Sequence, residues 1–552
     1  MYYSLHHFNF RKIIKLFKSM PLARYVVVFS LVFLITPFLS GQENATGVVF
    51  HDVNRNGIRD HGEPGIKDIS VSNQREVVRT DADGRYVLPI EENTILFITK
   101  PPHYNVPLNE NNVPQFYYIH QPQGSPAGLQ YAGIAPTGTL PESVDFPLIK
   151  TARKYRFNAI ITGDPQPRNR QEVNYYRDDV VTDMKSQKAE FYLALGDVAY
   201  DDLAVYAPLN RAVAQLGIPA YNVPGNHDMN YRGAHDRFAT ETFKRNFGPG
   251  TFSFEYGKVH FIVFDDVEYN GWDTANNKKG SYRGFLTEKQ LTWLNNDLAF
   301  VPEDVLIVLT MHIPIASETN SDPPHSIANR QELFEILKDR THLLALAGHY
   351  HLIEHVTFTT EMGWLGKAPF PSIIAGAGCG AWWSGPPDSR GIPESLCLDG
   401  SPNGYFVFSF DGARFQQRFY PVAGDKKNQM RISRPAGILS RDSLATQQIV
   451  VNVFNGNRQS TVEYMLDHGA PVMMQRTIMK DPFMVDYLAQ YRDFIPGWIQ
   501  DVAPVSHIWT APLPENLSTG THSLHVFAKD SFGNLYEGFR LFEIAEQKET
   551  KK

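Results

Sequence analysis

Five short apolar runs mark the middle of the chain, at 155–161, 191–195, 220–223, 306–310 and 343–347. Each is about one strand long. Several show little polar alternation, the pattern of strands buried on both faces. Helical periodicity lies between them, at 174–187 and 287–298; the second opens with a capping box, Thr287 with Gln290 three residues on. Strand, helix, strand is the order of an α/β domain, whose ligands gather at the carboxyl ends of the strands. Toward the N-terminus, 46–50 and 65–72 read as strands, with a hairpin turn around Asp81-Ala82-Asp83-Gly84. After residue 425, strands are expected at 447–455, 460–466, 507–511, 522–528 and 536–544, with a turn from Asp530 to Asn534. The pattern predicts an α/β centre (151–425) between two all-β, sandwich-like domains (42–150 and 426–552). The Pro-, Gln- and Asn-rich stretch 105–130 is expected as a long loop over the centre.

Every apolar run of the centre ends in a polar motif. In order these are Gly163-Asp164-Pro165-Gln166, Gly196-Asp197-Val198-Ala199-Tyr200, Gly225-Asn226-His227-Asp228, Met311-His312 and Gly348-His349-Tyr350-His351. Asp, Asn and His suit a hard-to-borderline divalent cation. None of the five contains Cys, which argues against a thiolate zinc site. By the strand-end argument they all meet on one edge of the sheet.

In this order the motifs resemble the calcineurin-like metallophosphoesterases, over roughly half the chain (153–425). The three-part layout resembles secreted bacterial members with accessory β domains. The resemblance implies a central β-sandwich flanked by helices, holding two divalent metals, with manganese, iron or zinc all acceptable. It implies that Asp197 bridges the pair, that Asp164 and His351 complete one site, and that Asn226, His312 and His349 complete the other. A metal-bridged hydroxide would attack phosphorus. His227 would give a proton to the leaving oxygen, and Asp228 would hold its ring as a triad Asp does. Two departures stand out. Gln166 occupies a position where the family usually has His, and is expected to be a weak seventh ligand. Tyr200 fits the Gly-Asp-x-x-Tyr of purple acid phosphatases, where the Tyr binds metal, yet those enzymes usually carry Glu where this chain has Asp228. Tyr200 is taken as a wall residue, with metal ligation as the alternative.

Residues 1–41 read as a signal peptide, with basic Arg11, Lys12, Lys15, Lys18 and Arg24, an apolar run at 25–39, and small Ser40-Gly41 before Gln42. The run is short for a membrane span, and an uncleaved anchor is the alternative. A periplasmic, secreted or cell-surface protein is expected, without an integral span after cleavage. Removing 1–41 takes the formal charge from −7 to −12, because that segment holds five basic and no acidic residues. An acidic surface disfavours nucleic acid as a stable partner and leaves a phosphoester as the expected one. Oligomeric state is left open.

The stretch 52–63 has the register of a twelve-residue calcium loop: Asp52, Asn54, Asn56, the Ile58 carbonyl, Asp60 and Glu63 as Ca²⁺ ligands, with Gly57 at the turn. Strands rather than helices flank it, so it resembles the calcium-binding B-type repeats of bacterial surface adhesins. Cys379 and Cys397 share one Gly/Pro/Trp-rich region, as a disulfide or as two buried thiols. In the same region Trp382 and Trp383 either line a substrate pocket or pack against the C-terminal domain, and Asp399 and Asn403 are weaker pocket candidates. Arg168, Arg170 and Arg330 lie near the motifs and are candidate phosphate clamps. The function read from these features is an exported, metal-dependent hydrolase of a phosphomonoester or diester. The alternative is a surface binding protein with an inactive phosphoesterase fold.

Overall fold

Aromatic side chains from two facing sheets fill the centre of the molecule. Phe191 of one sheet lies edge-on to Phe254 of the other at 5.4 Å, and Tyr221 stacks on Phe254 at 4.0 Å. The first sheet runs in the order Ala220–Asn222, Phe191–Ala194, Arg156–Thr162, Gly404–Asp411, Arg414–Pro421. The second runs Phe252–Tyr256, Val259–Val263, Leu306–Thr310, Leu343–Ala347, Phe370–Ala375, Ile353–Phe358. In this computed structural model the described residues are 43–320, 325–422 and 426–546. The expected signal peptide lies outside them. Among the described residues no helix is long and apolar enough to cross a membrane.

All five apolar runs are strands, and two of them, Leu306–Thr310 and Leu343–Ala347, keep their expected limits to the residue. The expectation of a single sheet edge is corrected. Leu306–Thr310 pairs with Val259–Val263 and Leu343–Ala347, not with the strands that carry the first three motifs. Three motifs therefore come from one sheet and two from the other, and they meet where the sandwich edges face each other. Helices Arg170–Tyr176 and Tyr206–Val213 pack outside the first sheet, and Glu288–Leu298 and Arg330–Leu337 outside the second. The Thr287–Gln290 capping box is present. The helix expected at 174–187 starts earlier, because the Asn169 side chain accepts from the amides of Gln171 and Glu172, and it passes through a π-turn at Arg177–Val181.

The N-terminal part forms two four-stranded sheets. The strand expected at 65–72 is only Ser70–Ser72. The stretch 105–130 is not all loop, since Tyr117–His120 is an edge strand beside Thr94–Ile98. Its continuation does lie on the centre, where Gln121 and Ser125 donate to Glu241. Every strand expected after residue 425 is present. Strand Gln475–Lys480 and helix Pro482–Gln490, whose N-cap is Asp481, are present beyond those expected.

Candidate metal centre

The polar turns that end the strands are conformationally strained. Asp164, Gln166, Asp197, His349 and His351 all have positive φ, between 36° and 76°. Residues with a Cβ seldom adopt that region, and when they do they cluster at functional sites. The neighbouring glycines allow the turns to close. A Cβ on Gly196 would sit 2.4 Å from His312 Nδ1, on Gly225 2.2 Å from Asp197 Oδ1, and on Gly348 2.6 Å from Asp164 Oδ1. Glycine is thus required here by close approach.

The imidazoles are held by backbone carbonyls. His312 Nδ1–H donates to the Leu195 carbonyl at 2.9 Å and His351 Nδ1–H to that of Gly380 at 2.6 Å. Both rings therefore turn Nε2 toward the centre, as metal-binding histidines do. His312 Nε2 is 3.0 Å from Asn226 Oδ1, 3.3 Å from Asp197 Oδ2 and 3.2 Å from His349 Nδ1. His351 Nε2 is 3.5 Å from Asp164 Oδ2. Asp197, His312 and His349 each place one donor atom within 4.8 Å of the others. Three electron-rich atoms thus crowd one ring nitrogen, and a cation relieves that crowding. The donor set fits divalent metal.

Without a cation, His312 carries the positive charge that the buried carboxylates need. Burial raises the Asp164 pKa to about 8 even with His312 beside it. Burial also opposes a charge on Asp197, but His312 and His227 outweigh it and keep that carboxyl below the usual range. Burial works against a charged His312, yet Asp197 and Asp164 lift its pKa to about 10. His351 is lowered by burial to about 4, and burial together with the His312 charge lowers His349 well below its ordinary value. His349 and His351 are therefore neutral, as ligands must be.

Gln166 reaches the same place. Its Nε2 donates to Asp197 Oδ2 at 2.7 Å and its oxygen faces Cys379 Sγ at 3.8 Å. Half a turn about the last bond exchanges the two. Tyr200 lies flat on His227, with ring centroids 4.4 Å apart at 18°, and edge-on to Trp382; it packs on the imidazole and is not among the cavity-lining residues.

The pairing of His227 with Asp228 is corrected. Asp228 is fully buried and accepts from the amides of Val198, Ala199 and Gly225, each at 2.9 Å, and from the Tyr206 hydroxyl. Its carboxylate closes the loops and does not reach the imidazole. Asp201 lies beside the ring instead: His227 Nδ1 is 2.6 Å from its Oδ1. Tyr231 donates to Asp201 at 2.7 Å and Lys279 at 3.2 Å. Asp201 sits in the same turn as Tyr200, and its positive φ of 60° aims it back at the ring.

A cavity of about 540 Å³ opens over the centre. Gln166, Asp197, Asn226, His227, His349 and His351 line it, together with His325, Tyr350, Trp382, Leu398, Ala503 and Pro504. Of the pocket candidates, only Trp382 is among the lining residues. Trp383 is buried against Tyr175. Asp399 is buried between the Ile353 amide and His507, and Asn403 donates to Asp179 and the Gly378 carbonyl, so both are structural. Cys379 and Cys397 are free, buried thiols. Arg168 is spent on Glu172 and the Trp382 carbonyl.

The stretch 52–63 folds as a loop closed by its own carboxylates. Asp52 accepts from the amides of Asn56 and Gly57 at 3.2 and 2.9 Å, and Glu63 from those of Val53 and Asp60 at 2.8 and 3.1 Å. Asn54 and Asn56, however, turn their NH₂ groups toward Asp60. Asp52, Asp60 and Glu63 do not converge as the catalytic cluster does. Ion binding would require these amides to turn.

Three family models match the chain: the N terminal of calcineurin-like phosphoesterase at 53–132, calcineurin-like phosphoesterase itself at 157–352, and the C terminal of calcineurin-like phosphoesterase at 373–536. A probable glycerophosphodiester phosphodiesterase of Arcobacter nitrofigilis is 27% identical over 151 residues, 27% of this chain and 51% of that one. A 3',5'-cyclic adenosine monophosphate phosphodiesterase of Escherichia coli K12 is 27% identical over 167 residues, 29% of this chain and 54% of that one. Purple acid phosphatase 23 of Arabidopsis thaliana is 27% identical over 150 residues, 25% of this chain and 30% of that one. The chain thus spans about half the length of the first two.

Proposed function

The chain belongs to the calcineurin-like phosphoesterase family, and on that premise we propose that it is a metal-dependent hydrolase of phosphoric diesters. The observation that carries this reading is the buried convergence of Asp197, Asn226, His312 and His349 on one point, with Asp164 and His351 beside it. Asp164, Gln166, Asp197 and His351 would hold one divalent ion, and Asp197, Asn226, His312 and His349 the other. When bound, such a pair supplies Lewis acidity toward phosphoryl oxygens and an activated water.

The chain's own residues supply the rest. Asp201 fixes Nδ1 of His227, so Nε2 is the ring nitrogen left to carry a proton to the leaving oxygen. Tyr200 covers one face of that ring and restricts its rotation. Tyr231 and Lys279 hold Asp201 in turn. A protein kept only for binding has no need of this assembly.

The preference for a diester rests on charge. No Lys or Arg is among the described residues that line the cavity. A dianionic monoester benefits from a cationic clamp, whereas a monoanionic diester does not need one. Purified protein supplied with manganese, zinc or iron should turn over p-nitrophenyl diesters with higher kcat/KM than p-nitrophenyl phosphate. The reverse order would contradict the diester reading.

The same proposal places the protein outside the cytoplasm, on the basic and then apolar pattern of 1–41. An extracytoplasmic fraction should contain protein that begins near Gln42. A cytosolic protein with 1–41 intact would contradict this.

A further inference from the structure

The cavity over the metal centre has two chemically different parts. One is the cluster of carboxylates, amides and imidazoles. The other is apolar, and the segment after residue 425 completes it. Ala503 and Pro504, at the start of strand Pro504–Pro512, line the cavity with Leu352 and Leu398. Just before them in the chain, Phe494 and Trp498 are each 56% exposed.

Trp498 is not an isolated surface aromatic. Its ring meets Trp382 edge-on at 6.0 Å, and the Trp382 ring lies 4.4 Å from that of His351. An aromatic path therefore runs from a metal-site imidazole to the solvent. Trp382 is held in that path at a cost, since its φ is +58°, a region that bulky residues avoid. Its buried Nε1–H has no partner among the described residues, although indole N–H groups are normally paired when buried. A strained Trp against an exposed Trp is poor packing for stability alone. It suits a ligand that brings apolar surface.

We propose that the substrate is a phosphodiester with one large apolar ester group, and that Trp498 is the specificity-determining residue that receives this group as the phosphoryl sits at the metals. The inference rests on the hydrolase reading and extends it to the substrate class. The C-terminal segment is thereby part of the substrate site.

Two diesters with the same leaving group test this: bis(p-nitrophenyl) phosphate, whose retained group is aromatic, and methyl p-nitrophenyl phosphate, whose retained group is small. Both are assayed with the full chain and manganese. W498A should lower kcat/KM on the first about fivefold to tenfold and on the second less than twofold, with metal content unchanged. W498F should keep most of the preference. An equal loss on both esters, no loss on either, or loss of metal from W498A would overturn the specificity role while leaving hydrolysis standing. Absence of turnover of either ester by the unaltered protein with any of the three metals would overturn the hydrolase reading, and this inference with it.

Discussion

Adjacent residues in a tight turn point in different directions, and at His227 this decides the chemistry. The run Asn226-His227-Asp228 suggests a His–Asp pair, yet the Asp228 carboxylate is taken up by three backbone amides that would otherwise be buried without partners. Asp201 was illegible as its replacement because nothing in the sequence reveals its left-handed backbone. The two carboxylates should therefore fail differently. D201N should lower turnover about 10- to 100-fold with little change in melting temperature, the scale of losing a group that orients another. D228A should destabilise the fold by about 1–3 kcal/mol or more, because it strands buried N–H groups. H227A should keep its metals and lose about 10²–10⁴-fold in turnover, with less loss on esters whose leaving groups are very acidic. The assignment fails if D228A slows turnover without lowering melting temperature while D201N is neutral.

At the scale of elements, strand Val259–Val263 is fastened to helix Glu288–Leu298 by a buried ion pair. His260 Nε2 lies 2.7 Å from Asp297, and its Nδ1 lies 3.2 Å from Glu255. Burial disfavours the charged ring, but Asp297 and Glu255 outweigh it and raise the pKa from 6.5 to about 10. A folded-state pKa above the unfolded one stabilises the protein fully below about pH 6.5, and the contribution is lost as pH rises toward 10. Melting temperature should fall across that window, and H260Q should flatten the fall. A rise in stability from pH 6.5 to 10 that H260Q abolishes would contradict the sign. The loop at 52–63 is another element-scale device. We predict that calcium raises the melting temperature of the full chain by mass action, that E63Q removes the shift, and that turnover is unaffected by that substitution. An identical shift in E63Q would place the ion elsewhere. Strands were the most legible elements, because short apolar runs bounded by polar turns have few alternatives. Ser70–Ser72, an inner strand between Val77–Arg79 and Thr94–Ile98, was overextended into the turn before it, and the edge strand Tyr117–His120 was hidden in a Pro- and Asn-rich stretch.

Across the whole molecule, the order of motifs made the candidate centre legible: Asp164, Asp197, Asn226, His312, His349 and His351, drawn from five motifs, lie together in the fold. The joining of two sheets at the site and the share taken by the C-terminal segment were not legible. They depend on contacts between residues about 150 apart in the chain, such as Ala503 packing on Tyr350 and Leu352. Glu318 adds a second tie: its carboxylate bonds Arg458 at 2.6 Å and Arg476 at 2.7 Å, next to the cavity residues Thr319 and Asn320. The central claim is that these distant pieces assemble one two-metal phosphodiesterase site. Its most direct test is to strip the full chain of metal and add manganese back while following bis(p-nitrophenyl) phosphate hydrolysis and bound metal together. Turnover should be absent at first and should rise to its limit as two ions bind per chain, and D197N should bind fewer ions and stay inactive. Full hydrolysis by the metal-free protein, or two ions retained by D197N, would contradict the account.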